Sequence, residues 1–353
     1  MAASKPTFDP ASLVTLAAHG LHVPDANLYL DARCAPGLTF VSHAHGDHCS
    51  DSERILCTPE TAVLHGHRRG PREVLRVGYG EWVRVHDAEA MLLPAGHVLG
   101  SAMIVVRSAR GTMAYTGDYK LKPNPFSPPV VIPRCDTLVM ECTFGEPRYV
   151  FPPEHELRDE LLAFVERALA EGAVPVVLAY ALGKAQEALW HLAGAGYEVV
   201  CHGSIANLNR LHEELGHPFP GPGGWVRYRR GEIGRRVLLT TPGSRRTPMV
   251  QGLTPRRVAY LTGWAYHPGA RNIYRDCDLV LPWSDHADFE ELVRTATESG
   301  ARHIHTVHGP AHFAAHLRTL GLHAEHLADH PQMEKESDEV VAPARDQFDL
   351  GLG

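Results

Sequence analysis

The stretch Ser42-His43-Ala44-His45-Gly46-Asp47-His48 puts three imidazoles and a carboxylate into a single turn of chain. It follows Leu38-Thr39-Phe40-Val41, an apolar run that reads as a buried strand ending at Ser42. Alternate residues of extended chain share a side, so His43 and His45 can point together. Asp47 and His48 swing to the other side as the chain turns. That layout suits two ions side by side, one held by imidazoles and the other by a carboxylate and an imidazole. Imidazole nitrogen with carboxylate oxygen is the ligand set of zinc, and it also accepts manganese or iron. A histidine-rich surface loop is the competing account in a chain with 24 histidines. It leaves unexplained an aspartate and a glycine set among the histidines directly after a strand.

Other residues of the same chemical types also follow strand candidates. Asp31 ends Asn27-Leu28-Tyr29-Leu30, and His97 lies between Met91-Leu92-Leu93-Pro94 and Ala102-Met103-Ile104-Val105-Val106. A tight turn at Ala109-Arg110-Gly111 predicts a hairpin into Met113-Ala114-Tyr115-Thr116, which delivers Gly117-Asp118. Glu141 ends Thr137-Leu138-Val139-Met140. These strand ends are expected to converge on one edge of a sheet. Near Pro152-Pro153 the pattern changes to alternating helices and strands, beginning with the apolar stripe Leu157, Leu161, Leu162, Val165 and Leu169. The alternation predicts a parallel α/β domain inserted into the first. The first pattern is expected to return at Leu279-Val280-Leu281 and to run through Trp283-Ser284-Asp285-His286 to His308-Gly309-Pro310. The expected division is a first core segment over 1–150, an inserted domain over 151–276, a second core segment over 277–330 and an acidic disordered tail over 331–353.

Composition narrows the class. At 44% hydrophobic and 21% charged residues the chain has the balance of a soluble globular protein. Seven cysteines, an odd number without a C-x-x-C pair, read as reduced thiols rather than a disulfide frame. Met1 to Pro10 lack the apolar core of a signal peptide and no run is long enough to span a membrane, so a cytoplasmic protein is expected. The net charge of −7 argues against a uniformly basic nucleic-acid binder. The charge is nevertheless segregated: Trp225 to Arg257 holds nine arginines and a single acid, Glu232. Such a segment suits a nucleic-acid track, and the interleaving of Arg227, Arg229 and Arg230 with Trp225 and Tyr228 suits stacking on a single strand. A solvated surface is the plainer account. Lys184, in Gly183-Lys184-Ala185-Gln186 at an expected helix start, suits a phosphate, although a short GK string also fits an ordinary solvated helix start.

Taken together, the H-x-H-x-D-H loop and the stretches GHVLGSAM, YTGDYK, ECTFGEPRYVFP, ALGKAQE, TGWA, SDHADFEEL and VHGP resemble the β-CASP branch of metallo-β-lactamase nucleases. Within that branch they look like the bacterial DNA ligase-associated exonucleases, over about residues 10 to 328. The resemblance implies a metallo-β-lactamase αββα sandwich with an inserted parallel α/β domain. It implies two divalent ions, zinc first and manganese as the alternative, held by His43, His45, Asp47, His48, His97, Asp118 and His308, with Asp118 bridging. It makes Asp31 a support for the loop rather than a ligand. Glu141, His286 and His308 match the three motifs peculiar to the branch, and the resemblance makes His286 a general acid kept protonated by Glu141.

The chemistry needs the same groups. Water shared by two cations about 3.5–4 Å apart becomes hydroxide near neutral pH and attacks phosphorus in line. The leaving oxygen then needs a proton, which a histidine oriented by a carboxylate can give. Taken singly, His97, His286 and His308 would read as structural histidines, and Asp118 and Glu141 as turn or capping acids; their matching contexts override that. The expected function is therefore a metal-dependent DNA exonuclease in repair, functionally associated with a DNA ligase. In this branch a histidine at the position of His308 is commoner among RNA-processing members, which makes an RNA-processing enzyme the alternative. A small-molecule hydrolase would share the core, but would leave the inserted domain, the arginines and Glu141 with His286 unexplained. A catalytically dead binding scaffold would have lost a ligand, and none is missing.

Overall fold

The computed structural model describes residues 12–327. Two compact units divide the chain, and the second interrupts the first in sequence. The first comprises the described residues up to Leu121, Ser127–Gly145 and those from Glu290 onward; the second comprises Lys122–Phe126 and Glu146–Phe289.

In the first unit, β1 (Thr15–Ala17), β2 (Gly20–Val23), β3 (Leu28–Leu30), β4 (Leu38–Phe40), β5 (Arg54–Cys57) and β6 (Glu73–Arg76) form one sheet in chain order. Helix α1 (Pro59–Arg69) leaves β5 with Pro59 in its first turn, and its Thr58 cap accepts from the Thr61 N–H. Strands β7 (Trp82–Val85), β8 (Ala88–Pro94), β9 (Ala102–Ser108), β10 (Gly111–Tyr115) and β11 (Thr137–Glu141) build a second sheet. The expected hairpin is its β9–β10 pair, with Ser108 opposite Gly111. Strand β8 alternates buried and half-buried residues along its length, the period of a strand with one face on a core. One core joins both sheets: Leu28, Phe40 and Leu56 of the first cluster with Leu92, Ile104 and Val139 of the second. This is a sheet-on-sheet sandwich.

The second unit alternates helix and strand. Helix α2 (Glu154–Ala170) precedes β12 (Val174–Leu178); α3 (Lys184–Gly194) leads to β13 (Val199–Cys201); and α4 (Gly203–Glu214) leads to β14 (Trp225–Arg227). Then come β15 (Val237–Thr240), α5 (Pro248–Gln251), β16 (Arg256–Leu261), α6 (Ala270–Ile273) and β17 (Leu279–Leu281). All neighbours in the sheet, ordered β14-β13-β15-β12-β16-β17, are parallel. Val177, Leu239 and Ala259 pack on one face with Leu161, Leu189 and Ile205, while Val176, Leu238 and Val258 pack on the other with Val250 and Tyr274. Burial on both faces explains the unbroken apolar runs of these strands.

Strand β17 departs from expectation. The sequence pattern places Leu279–Leu281 in the returning core, but the strand pairs with Ala259–Leu261 at the edge of the second unit's sheet. An apolar run of this length fits any parallel sheet, so the sequence does not say which one it joins. The chain re-enters the first unit only with α7 (Phe289–Glu298), followed by β18 (His303–Val307), α8 (His312–Thr319) and β19 (Ala324–His326). Strand β18 lies parallel to β11, with Glu141 opposite Val307, so Glu141 and His308 emerge side by side. None of the seven cysteines forms a disulfide, and no helix among the described residues is long and apolar enough to cross a membrane. The expected tail over 331–353 lies outside the described residues.

Candidate metal centre

The centre is assembled at strand ends of the first unit. Among the described residues of the first unit, two groups of side chains drawn wholly from that unit could each hold a cation, His43 with His45, His97 and Asp118, and Asp47 with His48 and Asp118; within each, the ligating atoms lie within 4.8 Å of one another. Asp118 belongs to both. Its Oδ2 is 3.5 Å from His43 Nε2, 3.3 Å from His48 Nε2 and 3.8 Å from His97 Nε2. His45 Nδ1 sits 3.1 Å from His43 Nε2 and 3.0 Å from His97 Nε2, so three imidazoles converge on one point. Asp47 Oδ2 lies 3.1 Å from His48 Nε2. His308 is in neither group; its ring centroid is 5.3 Å from that of His48.

Asp31 occupies the place of a brace. Its carboxylate accepts from the Ser42 N–H at 2.7 Å, the Ser42 hydroxyl at 2.6 Å and the Tyr115 hydroxyl at 2.9 Å, and it lies 2.8 Å from His48 Nδ1. A carboxylate on the far nitrogen of a ligating imidazole fixes its tautomer and direction. Ser42 Oγ is also 3.0 Å from His43 Nδ1. Ser42 and Tyr115 stand inside stretches quoted above, at the start of Ser42–His48 and of YTGDYK, but the sequence alone assigns neither a role.

Backbone geometry is unusual at this edge. Asp31 and His308 both have left-handed backbone, with φ of 43° and 51°. Such strain in non-glycine residues persists where the surroundings over-determine it, typically at functional sites. Gly117, at φ 53°, lets the turn before Asp118 pass the loop: a Cβ there would sit 2.5 Å from Ser42 Cβ. Gly309 does the same beside His308, where a Cβ would meet the Cys142 carbonyl oxygen at 2.1 Å.

The electrostatics fit a cation site. Burial, reinforced by His48 and His97, holds the His43 pKa well below its ordinary value, so its ring is neutral, the ligating form. His48 goes the other way. Burial alone would lower its pKa, but the Asp118, Asp47 and Asp31 carboxylates outweigh it and raise it well above the ordinary value. Asp47 is held well below the carboxylate range because the His48 charge overcomes burial. Three carboxylates, Asp31, Asp47 and Asp118, act on His48, and hard oxygen donors stand with borderline nitrogen donors. These residues fit a pair of divalent cations.

Glu141 is buried and well fastened: Oε1 accepts from the Tyr119 N–H at 2.8 Å and Oε2 from the Thr143 hydroxyl at 2.5 Å. His286 lies in the second unit between β17 and α7, on a segment anchored at both ends. Trp283 donates to Glu187 Oε2 at 3.0 Å, while Asp288 Oδ2 takes Lys122 Nζ at 2.6 Å and the Phe151 N–H at 3.2 Å. Between them, the Ser284 hydroxyl bonds the His286 N–H at 3.0 Å.

The residues proposed from sequence to touch nucleic acid fare differently. Lys184 is buried and ion-paired with the equally buried Asp285, so its charge is already matched within the protein. Removing one partner of a buried pair strands the other, at a cost of about 3–5 kcal/mol. Lys184→Ala should therefore destabilise the protein by about that amount in denaturant unfolding; a variant of unchanged stability would return Lys184 to phosphate binding. The nine arginines are also less concentrated than the local sequence suggests. Arg236 pairs with Glu198, Arg257 with Glu171, and Arg245 with Asp276, acids supplied from outside the segment. Trp225, on edge strand β14, and Tyr228, just beyond it, are half-buried and each packs against one of the unit's two cores rather than standing free to stack. Arg227 donates to Asn207 at 2.6 Å, while Arg229 and Arg230 are exposed.

No family model matches the chain. Known proteins do. It is 36% identical over 322 residues to a probable DNA ligase of Opitutus terrae, covering 90% of this chain and 31% of that protein. It is 32% identical over 122 residues to RNase aCSPSF2 of Saccharolobus solfataricus (34% of this chain, 24% of that one) and 30% identical over 122 residues to ribonuclease TTHA0252 of Thermus thermophilus (34% and 28%). The chain thus spans about a third or less of the length of these relatives. A two-sheet sandwich with a histidine and aspartate cluster at its strand ends, interrupted by a parallel α/β unit, defines a class. The chain belongs to the β-CASP branch of the metallo-β-lactamase fold.

Proposed function

We propose that this chain is a metal-dependent phosphodiesterase acting on nucleic acid, with DNA as its substrate, working as an exonuclease in repair. The observation that carries this is the pair of ligand groups joined through Asp118, the arrangement needed to clamp both oxygens of an in-line displacement at phosphorus. His43, His45, His97 and Asp118 would hold one ion, and Asp47, His48 and Asp118 the other, with His308 completing the set. Zinc suits these donors best and manganese is the alternative. When bound, the ions supply Lewis acidity and an activated water. The chain's own residues do the rest. Asp31, Ser42 and Tyr115 hold the loop in register, and His43 stays neutral to ligate. His286 gives its proton to the leaving oxygen, and Glu141 favours the protonated form of that imidazole.

The match to a probable DNA ligase along 90% of the chain supports DNA, and an association with a ligase. A specific observation favours the second reading: relatives named as ribonucleases share about a third of the chain, which keeps RNA as the alternative. The test is to incubate the full chain with end-labelled single- and double-stranded DNA and RNA, with zinc or manganese. Faster release of label from DNA supports the first reading, and preference for RNA the second. Cleavage of neither sinks both.

Arg229 and Arg230 are proposed to contact the phosphate backbone. Changing both to Ala should weaken DNA binding and lower the slope of log affinity against log salt by about 1–2, while hydrolysis of a small phosphodiester stays unchanged. Unaltered affinity would make them a solvated surface.

A further inference from the structure

The second unit carries a cleft of about 450 Å³ whose lining is dominated by four guanidinium groups, Arg245, Arg246, Arg256 and Arg275, against one carboxylate, Asp276. Gln251 and Val258 complete the wall. Two of the arginines are fixed. Arg256 donates to the Leu253 carbonyl at 3.0 Å and to Gln251 Oε1 at 2.9 Å, and Gln251 in turn donates to the Arg245 carbonyl at 2.9 Å. Arg245 lies over the Tyr260 ring at 5.9 Å and reaches Asp276 at 3.3 Å. The other two, Arg246 and Arg275, are exposed, and their side chains make no hydrogen bond or ion pair among the described residues.

Like charges gathered round one hollow repel, and one carboxylate cannot balance four guanidinium groups. A bound anion would. The planar five-donor fork of arginine matches phosphate oxygens two at a time, and prior fixing of Arg245 and Arg256 lowers the ordering cost of binding. With Val258 as the one apolar residue in a lining of charged and polar side chains, the cleft favours an anion over an uncharged nucleoside. We propose that this cleft binds a phosphate-dense anion through its four arginines, drawn either from a free oligophosphate or from consecutive phosphates of a nucleic-acid strand. The strand-phosphate source rests on the nucleic-acid reading above; anion binding by the cleft itself does not, since it concerns the second unit alone.

The experiment is calorimetric titration of the full chain with sodium tripolyphosphate, without added divalent ions so that chelation contributes no heat. Orthophosphate and adenosine serve as comparisons. Saturable binding of tripolyphosphate is expected, weaker binding of orthophosphate and none of adenosine. The double variant Arg246→Gln, Arg275→Gln should keep the wild-type unfolding midpoint, because both side chains are exposed, and should bind tripolyphosphate about tenfold more weakly or worse. A single-stranded DNA oligomer then separates the sources. Displacement of tripolyphosphate by the oligomer identifies strand phosphates, and failure to displace it identifies a free oligophosphate. Absence of saturable tripolyphosphate binding, or equal binding by the double variant, overturns the proposal.

Discussion

Replacing Asp118 with Ala should abolish phosphodiester cleavage and take bound divalent metal from two ions per chain to one or none. The expectation follows from position. Asp118 Oδ2 lies within 3.3–3.8 Å of imidazole nitrogens on His43, His48 and His97, and the two ligand groups have this carboxylate in common. Any other ligand belongs to one group, so its loss should weaken one ion first. Losing Asp118 removes a donor from both at once and takes away the carboxylate that His43, His48 and His97 all face. Metal analysis and cleavage rate are to be measured on the same preparation, with a denaturant curve to show that the fold persists. A variant that retains both ions and cleaves normally would remove Asp118 from the centre.

Replacing His286 with Ala should cut cleavage by about 10²–10⁴-fold with both ions retained. The leaving 3′- or 5′-oxygen of a phosphodiester is strongly basic, so a positioned acid matters far more here than for an easily expelled group. The segment carrying His286 is tied down by Trp283 on Glu187 and Asp288 on Lys122. That rigidity suits a group whose value depends on holding a proton in one place. Glu141→Gln should give a smaller loss of the same kind, because a carboxylate favours the charged imidazole and an amide does not. Loss of metal from His286→Ala would make it a ligand; full activity with full metal would end the general-acid role.

Local features were legible in the sequence, and distant ones were not. His43, His45, Asp47 and His48 stand next to one another, so type and spacing suffice to mark them. The hairpin leading to Asp118 announces itself through its turn and alternation. The brace on Asp31 is harder to see, because Tyr115 comes to it from 84 residues away and a hydroxyl partner has no sequence signature. Lys184 shows the same limit: its charge looks available at a helix start, but its partner Asp285 is 101 residues on. The arginine-rich segment misleads for a related reason, since Glu171, Glu198 and Asp278 reach it from other elements. Strand β17 is the case where topology decides. Leu279-Val280-Leu281 is equally good chemistry for either sheet, and only its hydrogen bonds to β16 assign it.

The claim on which the account depends is that two ions sit at the strand ends of the first unit and share Asp118. The most direct measurement is anomalous scattering at the metal edge from crystals of the full chain grown with saturating zinc or manganese. Two peaks are expected, one among His43, His45 and His97 and one beside Asp47 and His48, both within ligand distance of Asp118. A single peak, or two peaks that do not share Asp118, would contradict it.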